Sequence, residues 1–262
     1  MQTIDLPAGP ALQHRAQAVF ESSLQQIHVQ TDRLFANLMI LQWLAGIAAA
    51  IWISPRTWIG ATSTVNLHVW AAIFLGGVIS GYPVFLAWKH PGRVMTRHAI
   101  AVGQTLTSAL LIHLTGGRIE THFHVFGSLA FLAFYRDWRV LVTATVVVGV
   151  DHLVRGLYWP QSVFGVLTPS SWRWLEHVGW VLFEDAFLFI SIRQSLRQMF
   201  EIALRRAGLE NLNAQIELQV VERTAALEKT NAELRTALAN VKELSGLLPI
   251  CSYCKKVRDD QD

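Results

Sequence analysis

Long uncharged stretches are the feature of this sequence that most limits its fold. Residues 34–53 and 98–116 contain no acidic or basic residue apart from histidine, and residues 67–88 contain only His68. At about 1.5 Å of rise per residue, each stretch is long enough to cross a hydrocarbon core of roughly 30 Å as a helix. Only 16% of the 262 residues are charged, whereas soluble domains average about 25%. A water-soluble, disordered or disulfide-stapled chain is excluded, and a membrane protein is predicted.

Three further apolar blocks, residues 120–136, 140–159 and 174–192, contain polar side chains. A charged residue at membrane depth costs about 2.5–3.5 kcal/mol on insertion scales, so such residues need partners. Lys and Arg are concentrated after the second block, before the fifth and after the sixth, which places those connections in the cytoplasm. We therefore predict six crossings of a bacterial inner membrane with both termini cytoplasmic. The polar first 33 residues lack a signal-peptide pattern, so the N-terminus is expected to be retained.

The region after about Ser195 changes to a charged helix with regularly spaced apolar residues. Steps of four and three residues are typical of a coiled-coil seam, and an asparagine in the seam favours a parallel dimer. The seam residues are Leu227, Asn231, Leu234, Leu238 and Val241, and upstream Leu209, Leu212 and Ile216, with a stutter at Val220. The alternative is a single amphipathic helix on another surface. The fold class is thus an all-α membrane protein: a six-helix transmembrane bundle followed by a cytoplasmic parallel coiled coil.

Four regions follow from this division. They are a cytoplasmic amphipathic segment (1–33), a transmembrane sensor domain (34–194), a signalling coiled coil (195–248) and a C-x-x-C segment (249–262) at the boundary of an output domain that is expected to follow.

Histidines and carboxylates from several blocks fall toward the outer side in this topology, which predicts one ligand cluster there. Mixtures of imidazole and carboxylate suit iron, copper or zinc better than magnesium or calcium. The candidate ligands are His113, Glu120, His122, His124, Asp151, His152, His177 and Glu184, with His68 and Glu176 as further candidates. The inner half receives only His98 and Asp185, and His14, His28 and His90 are expected to be solvated.

The densest part of the cluster is the run from Gly116 to His124. In an extended conformation Glu120, His122 and His124 project to one side and form a three-ligand face. In a helix His122 and His124 diverge by about 200°, and Glu120 and His124 share a face instead. The sequence leaves both conformations open, and the glycine pair at 116–117 favours an irregular approach.

Haem, and purely structural roles for the polar residues, compete with a metal ion. Haem would need two histidines on facing helices, from among His113, His152 and His177. Intramembrane histidines also form hydrogen bonds between helices, and Asp151 and Arg155 are spaced to neutralise each other. Glu184 and Asp185 would also suit a proton path or a polar pore.

The run Gly116-Gly117-Arg118-Ile119-Glu120-Thr121-His122-Phe123-His124-Val125-Phe126, followed by Tyr135-Arg136-Asp137-Trp138-Arg139, resembles the membrane input region of a group of bacterial signalling proteins. The resemblance implies a helical bundle that precedes a histidine-kinase, diguanylate-cyclase or chemoreceptor output module. This chain departs from the family pattern, which often has histidine at the positions of Asp151 and Glu184. The segment 222–224 is similar to a signalling helix, and 248–256 to a cysteine box that follows such helices.

Cys251 and Cys254 form one C-x-x-C pair, which is half of a Cys₄ zinc site. In a parallel dimer two copies would supply four thiolates, and ordinary thiols or redox sensing are the alternatives.

A sensor is the function that the sequence favours. It would be a homodimer in the lipid bilayer, acting on a cytoplasmic output domain or response partner, with the whole protein a kinase or cyclase. A membrane metalloenzyme acting on lipid, quinone or oxygen, and a metal transporter, are the other hypotheses. The spread of Lys and Arg does not indicate nucleic-acid binding.

Overall fold

The computed structural model describes residues 9–247, 251 and 253–256 and is almost entirely helical. Helix α1 spans Pro10–Ile53, and a hairpin of strands β1 (Arg56–Ile59) and β2 (Thr62–Val65) follows. The remaining elements are α2 (Leu67–Trp70), a π-helical segment (Ala71–Leu75), α3 (Gly76–Lys89), α4 (Val94–Leu114), α5 (Ile119–Leu132), a 3₁₀ turn (Ala133–Tyr135), α6 (Trp138–Tyr158), α7 (Pro160–Phe164) and α8 (Arg173–Leu247).

Each of the six predicted blocks lies mainly within helical structure. Three helical segments are long and apolar enough to cross a membrane: Pro10–Ile53, Leu67–Lys89 and Trp138–Tyr158. Helix α5 has 14 residues and is therefore about 21 Å long, shorter than a hydrocarbon core of roughly 30 Å. The structure thus supports a predominantly helical membrane protein, and the six-crossing bundle stays a prediction.

The hairpin between α1 and α2 was not predicted from the sequence. Its strands pair antiparallel, with Arg56 opposite Val65 and Ile59 opposite Thr62. The turn contains Gly60 at φ +59°, a left-handed conformation that glycine adopts without steric cost. Three threonines and one isoleucine among residues 56–65 favour strands. The run is nevertheless too short to be recognised beside apolar blocks of about 20 residues.

Helix α4 packs against α3, α5, α6 and α7. Gly103 permits a close approach between α4 and its neighbours: a Cβ atom there would lie 2.6 Å from Pro83 Cγ and 2.7 Å from Met39 Cε. Aromatic and aliphatic side chains from α1, α4, α5, α6 and α8 form the buried core around it. Helices α5 and α6 thus both pack on α4 and contact each other, and side chains of α8 join the same core.

The chain divides into two compact units, Gln13–Leu204 and a second one that joins Met1–Leu12 to Arg205–Asp262. In the second unit the predicted seam side chains are exposed to solvent in the single chain: Leu227 is 64% exposed and Leu238 54%. Helix α8 continues without interruption from the sixth block into this region, as the absence of proline in it predicts.

Candidate functional site

Three histidines from three helices lie close together. His122 is in the first turns of α5, His152 is in α6, and His177 is in the first turns of α8. The ring centres of His122 and His152 are 5.6 Å apart, those of His122 and His177 5.2 Å, and those of His152 and His177 5.6 Å. His122 and His152 are buried. We call these three residues the histidine cluster.

Each ring of the histidine cluster is oriented by a carbonyl of its own helix, four residues earlier. In His122, Nδ1 lies 2.9 Å from the carbonyl oxygen of Arg118. In His152 it lies 3.0 Å from that of Val148, and in His177 it lies 2.9 Å from that of Arg173. Because a carbonyl oxygen only accepts, Nδ1 carries the hydrogen, and Nε2 of the neutral ring is left with a free lone pair. Nε2 of His122 is buried without a hydrogen-bond partner among the described residues.

Imidazole nitrogens are donors of the kind that transition metals prefer. Three imidazole nitrogens at about 2.0–2.1 Å from one tetrahedral ion would hold their ring centres about 5 Å apart, close to the spacing found here. Metal-binding histidines usually donate their second ring N–H to a carbonyl or carboxylate, as all three do. In the part of the chain that the structure describes, however, no group of three or more His, Cys, Asp or Glu side chains is arranged so that it could hold a metal ion.

A cavity of about 540 Å³ adjoins the histidine cluster and is lined by all three of its histidines. The other residues that line it are mainly apolar and include Val125, Phe126 and Val148. Glu176 is the acidic residue among them. The exposed side chains of Ile119, Phe123 and Trp180 also line it. The cavity therefore opens toward the apolar outer surface of the helices.

Residues 120–124 lie in helix α5, so the extended alternative for Glu120, His122 and His124 is wrong. Gly116 and Gly117 adopt φ +73° and +75° and end α4 in an irregular turn, as the glycine pair predicts, and α5 begins at Ile119. Glu120 is exposed and lies 3.5 Å from Arg118. Glu120 and the half-buried His124 therefore do not form a common site.

His124 belongs to a separate polar network between α1, α4 and α5. Its Nδ1 lies 2.8 Å from the hydroxyl oxygen of Ser108, and its Nε2 lies 3.2 Å from Nε2 of Gln42. Ser128 and the fully buried Gln104 continue this network. The structure therefore places His124 as a hydrogen-bonding residue between helices.

His68 and His113 form a second pair, with ring centres 4.9 Å apart. Nδ1 of His113 lies 2.9 Å from the Ser162 hydroxyl oxygen, which also accepts from Arg155 Nη1 at 3.0 Å. Nδ1 of His68 is buried and has no hydrogen-bond partner among the described residues. The structure thus separates the His68–His113 pair from the histidine cluster, whereas the sequence predicts one cluster.

The carboxylates are distributed differently from the prediction of one cage. Asp151 accepts from Arg155 at 2.5 and 2.8 Å, which confirms the self-neutralising pair. Asp185 accepts from the Thr145 hydroxyl, and Oε2 of Glu184 is buried without a hydrogen-bond partner in the described chain. Glu176 is the carboxylate that lines the cavity.

A buried polar network that the sequence analysis missed joins α1 to the start of α4 and the α5–α6 connection. Asp32 is fully buried; it accepts from the Tyr135 hydroxyl at 2.7 Å and from the Gly92 N–H at 2.6 Å. Arg97 forms an ion pair of 2.9 Å with Asp137. All three charged residues, Asp32, Arg97 and Asp137, flank apolar blocks on the predicted cytoplasmic side. This shared side is the sequence signal that could have identified them.

His28 belongs to the same network, so its predicted solvation is wrong. It is 6% exposed, with Nε2 lying 3.1 Å from the Tyr135 carbonyl oxygen and Nδ1 lying 3.2 Å from Arg97 Nη1. The carbonyl requires the hydrogen on Nε2, and Nδ1 then accepts from Arg97. His14 and His90 are exposed, as predicted.

Cys251 and Cys254 are both exposed and lie in a short turn in which Lys255 adopts φ +55°. Hydrogen bonds from the backbone N–H groups of Cys254 and Tyr253 lower the pKa of the Cys251 thiol from its ordinary value. The thiolate, which is the metal-binding and nucleophilic form, is therefore favoured at Cys251.

Comparison with known proteins points to signal transduction. The transducer protein Htr8 of Halobacterium salinarum is 29% identical to this chain over 120 residues, which cover 44% of this chain and 18% of the relative. The matched segment therefore spans less than a fifth of the length of that curated relative. No protein-family model matches the chain, and a search of solved structures found no match. The similarity supports a signalling role for a helical membrane protein.

Proposed function

We propose that this chain is the membrane-embedded input region of a signal transducer, in which the histidine cluster holds a transition metal ion. The observation that carries the proposal is the spacing of three imidazole rings, each with Nδ1 bonded to backbone. Imidazole rings packed this closely, each with one ring nitrogen left as an acceptor, favour a cation or a hydrogen-bond donor between them. Iron, copper and zinc are all compatible with imidazole ligands.

A single ion fits the histidine cluster better than haem. A haem held by His152 and His177 would need the space between their rings for the porphyrin. The ring centre of His122 is only 5.6 Å from that of His152 and 5.2 Å from that of His177. The third imidazole therefore competes for that space. Asp151 lies beside the ligand set: its carboxylate, which is paired with Arg155, is 3.5 Å from Nδ1 of His152.

Signal output is proposed to pass through α8. This helix carries His177 near its start and the predicted seam residues further along. The exposed leucines of the seam favour a parallel homodimer, in which two copies bury them against each other. The proposed location is a bacterial inner membrane with both termini cytoplasmic, where the coiled coil would act on an output domain or response partner.

Elemental analysis of the purified protein tests the metal. We expect about one transition metal ion per chain. Most of it should be lost in each single variant, His122→Ala, His152→Ala and His177→Ala, and in the triple variant that combines them. The matched controls, His14→Ala and His90→Ala, change exposed histidines and should keep the metal. A triple variant that retains full loading, or wild-type protein with no metal after purification without chelators, would contradict the proposal.

A further inference from the structure

The cavity beside the histidine cluster has a chemistry that specifies a ligand. Apart from the Trp180 indole, its polar side chains are those of His122, His152, His177 and Glu176. With Nδ1 bonded to backbone, the imidazoles present Nε2 as acceptors, and a carboxylate also accepts. Unless a metal ion occupies the histidine cluster, a ligand head that enters this end of the cavity must therefore donate a hydrogen bond.

The rest of the cavity calls for an apolar body. Phe126, Val125 and Val148 line the interior, and the exposed side chains of Ile119, Phe123 and Trp180 lie at the opening. In a membrane protein, exposed aromatic and aliphatic side chains of this kind face lipid. A volume of about 540 Å³ lies within the range of roughly 300–1,000 Å³ found for sites that bind small organic molecules.

Two classes of ligand head can donate a hydrogen bond, a cationic ammonium group and a neutral hydroxyl group, and their charge distinguishes them. An ammonium group would have to leave water and enter through an apolar opening, which is costly. Arg155, the neighbouring cation in α6, forms an ion pair with Asp151, so the pair leaves no net charge beside the cavity. The carboxylate of Glu176 is exposed to solvent. A neutral hydroxyl therefore fits the buried end of the cavity better than a cation does.

From these observations we infer that the cavity binds a neutral, lipid-soluble molecule of the phenol or quinol class, with its hydroxyl group directed at the histidine cluster. The ligand reaches the cavity from the bilayer through the opening between α5 and α8. The inference rests on the proposed function in taking this cavity as the sensory site, and it adds the class of molecule that is sensed. A hydroxyl oxygen is also a ligand for a metal ion, so the same head suits the cluster with or without an ion.

A phenol and its methyl ether, which cannot donate a hydrogen bond, test the hydroxyl. 4-Propylphenol and 4-propylanisole are titrated into the full chain in lipid nanodiscs, and binding is followed by quenching of tryptophan fluorescence. Trp180→Phe identifies the share of the signal that comes from the cavity. We expect the phenol to bind about tenfold more tightly than the ether, since an unmade hydrogen bond at a buried acceptor costs about that factor. Equal affinities, or tighter binding of 4-propylbenzylammonium than of the phenol, would overturn the inference.

Substitutions that fill the cavity locate the binding. Val148→Phe narrows the interior, and Ile119→Trp blocks the opening from an exposed position in case the interior variant does not fold. Each should weaken phenol binding at least tenfold, whereas Val146→Phe, on the exposed side of α6, should not. Binding that survives both filling variants would place the phenol elsewhere and refute the inference.

The proposed metal and the proposed ligand can fail independently. The titration is therefore run on protein stripped with a chelator and on protein loaded with zinc, with the metal content of each measured. Absence of retained metal with persistent phenol binding removes the metal proposal alone. Retained metal with equal phenol and anisole affinities removes the ligand inference alone.

Discussion

At the scale of single residues, the buried polar groups around Asp32 and Tyr135 offer the clearest energetic test. The Tyr135 hydroxyl donates to Asp32 Oδ1 at 2.7 Å, and both residues are fully buried. Tyr135→Phe would leave Oδ1 without its partner, which we expect to lower the free energy of unfolding by about 1–3 kcal/mol. Tyr82→Phe, at a residue 57% exposed, is the control. Equal thermal stability of the two variants in detergent would contradict this role.

Residue identity alone predicted the members of the histidine cluster, because intramembrane histidines are costly and few. It did not predict which of them meet. The direction of each side chain depends on where its helix begins: α5 starts at Ile119, which directs His122 toward α6 and α8 and His124 toward α1 and α4. His28 and Asp32 were missed because they lie in a polar segment, where an exposed side chain is the default expectation.

At the scale of secondary-structure elements, the glycine pair before α5 fixes how that helix enters the site. A Cβ atom on Gly117 would lie 2.2 Å from the backbone nitrogen of Gly165, whereas one on Gly116 would meet nothing within 4 Å. Both residues have positive φ, so an alanine at either position is strained by about 1–3 kcal/mol. Gly117→Ala carries the additional clash with backbone.

We therefore expect Gly117→Ala to destabilise the protein clearly more than Gly116→Ala, and to reduce its metal content because α5 carries His122. The comparison needs thermal unfolding and elemental analysis of both variants. Two variants with the same stability and loading would show that the α4–α5 turn tolerates movement away from Gly165.

The helices themselves were largely predictable, because apolar blocks of about 20 residues are a strong signal and α8 contains no proline. The hairpin of Arg56–Val65 was not, since eight paired residues carry little periodicity. Three helical segments, Pro10–Ile53, Leu67–Lys89 and Trp138–Tyr158, meet the length and hydropathy needed for a membrane span.

At the scale of the whole molecule, the sequence predicted one cage of ligands, whereas the structure distributes those residues among the histidine cluster, the His68–His113 pair and the network around His124. Depth along a helix is readable from sequence, but rotation about its axis depends on which neighbours it packs against. Residues at one depth can therefore lie on different sides of the same bundle.

Dimerisation through α8 is the prediction that concerns the whole protein. Leu234 and Leu238 are 57% and 54% exposed in the single chain and occupy consecutive seam positions. Leu234→Glu with Leu238→Glu would place four carboxylates at the interface of two parallel helices, where they would repel and bury no apolar surface. We expect wild-type protein in detergent to sediment as a dimer and this double variant as a monomer. Lys229→Glu with Thr236→Glu, which adds the same two acidic residues on the outer face of the heptad, should remain dimeric. A monomeric wild-type protein, or a double seam variant that stays dimeric, would mean that α8 does not pair along this seam and that its leucines pack against another surface.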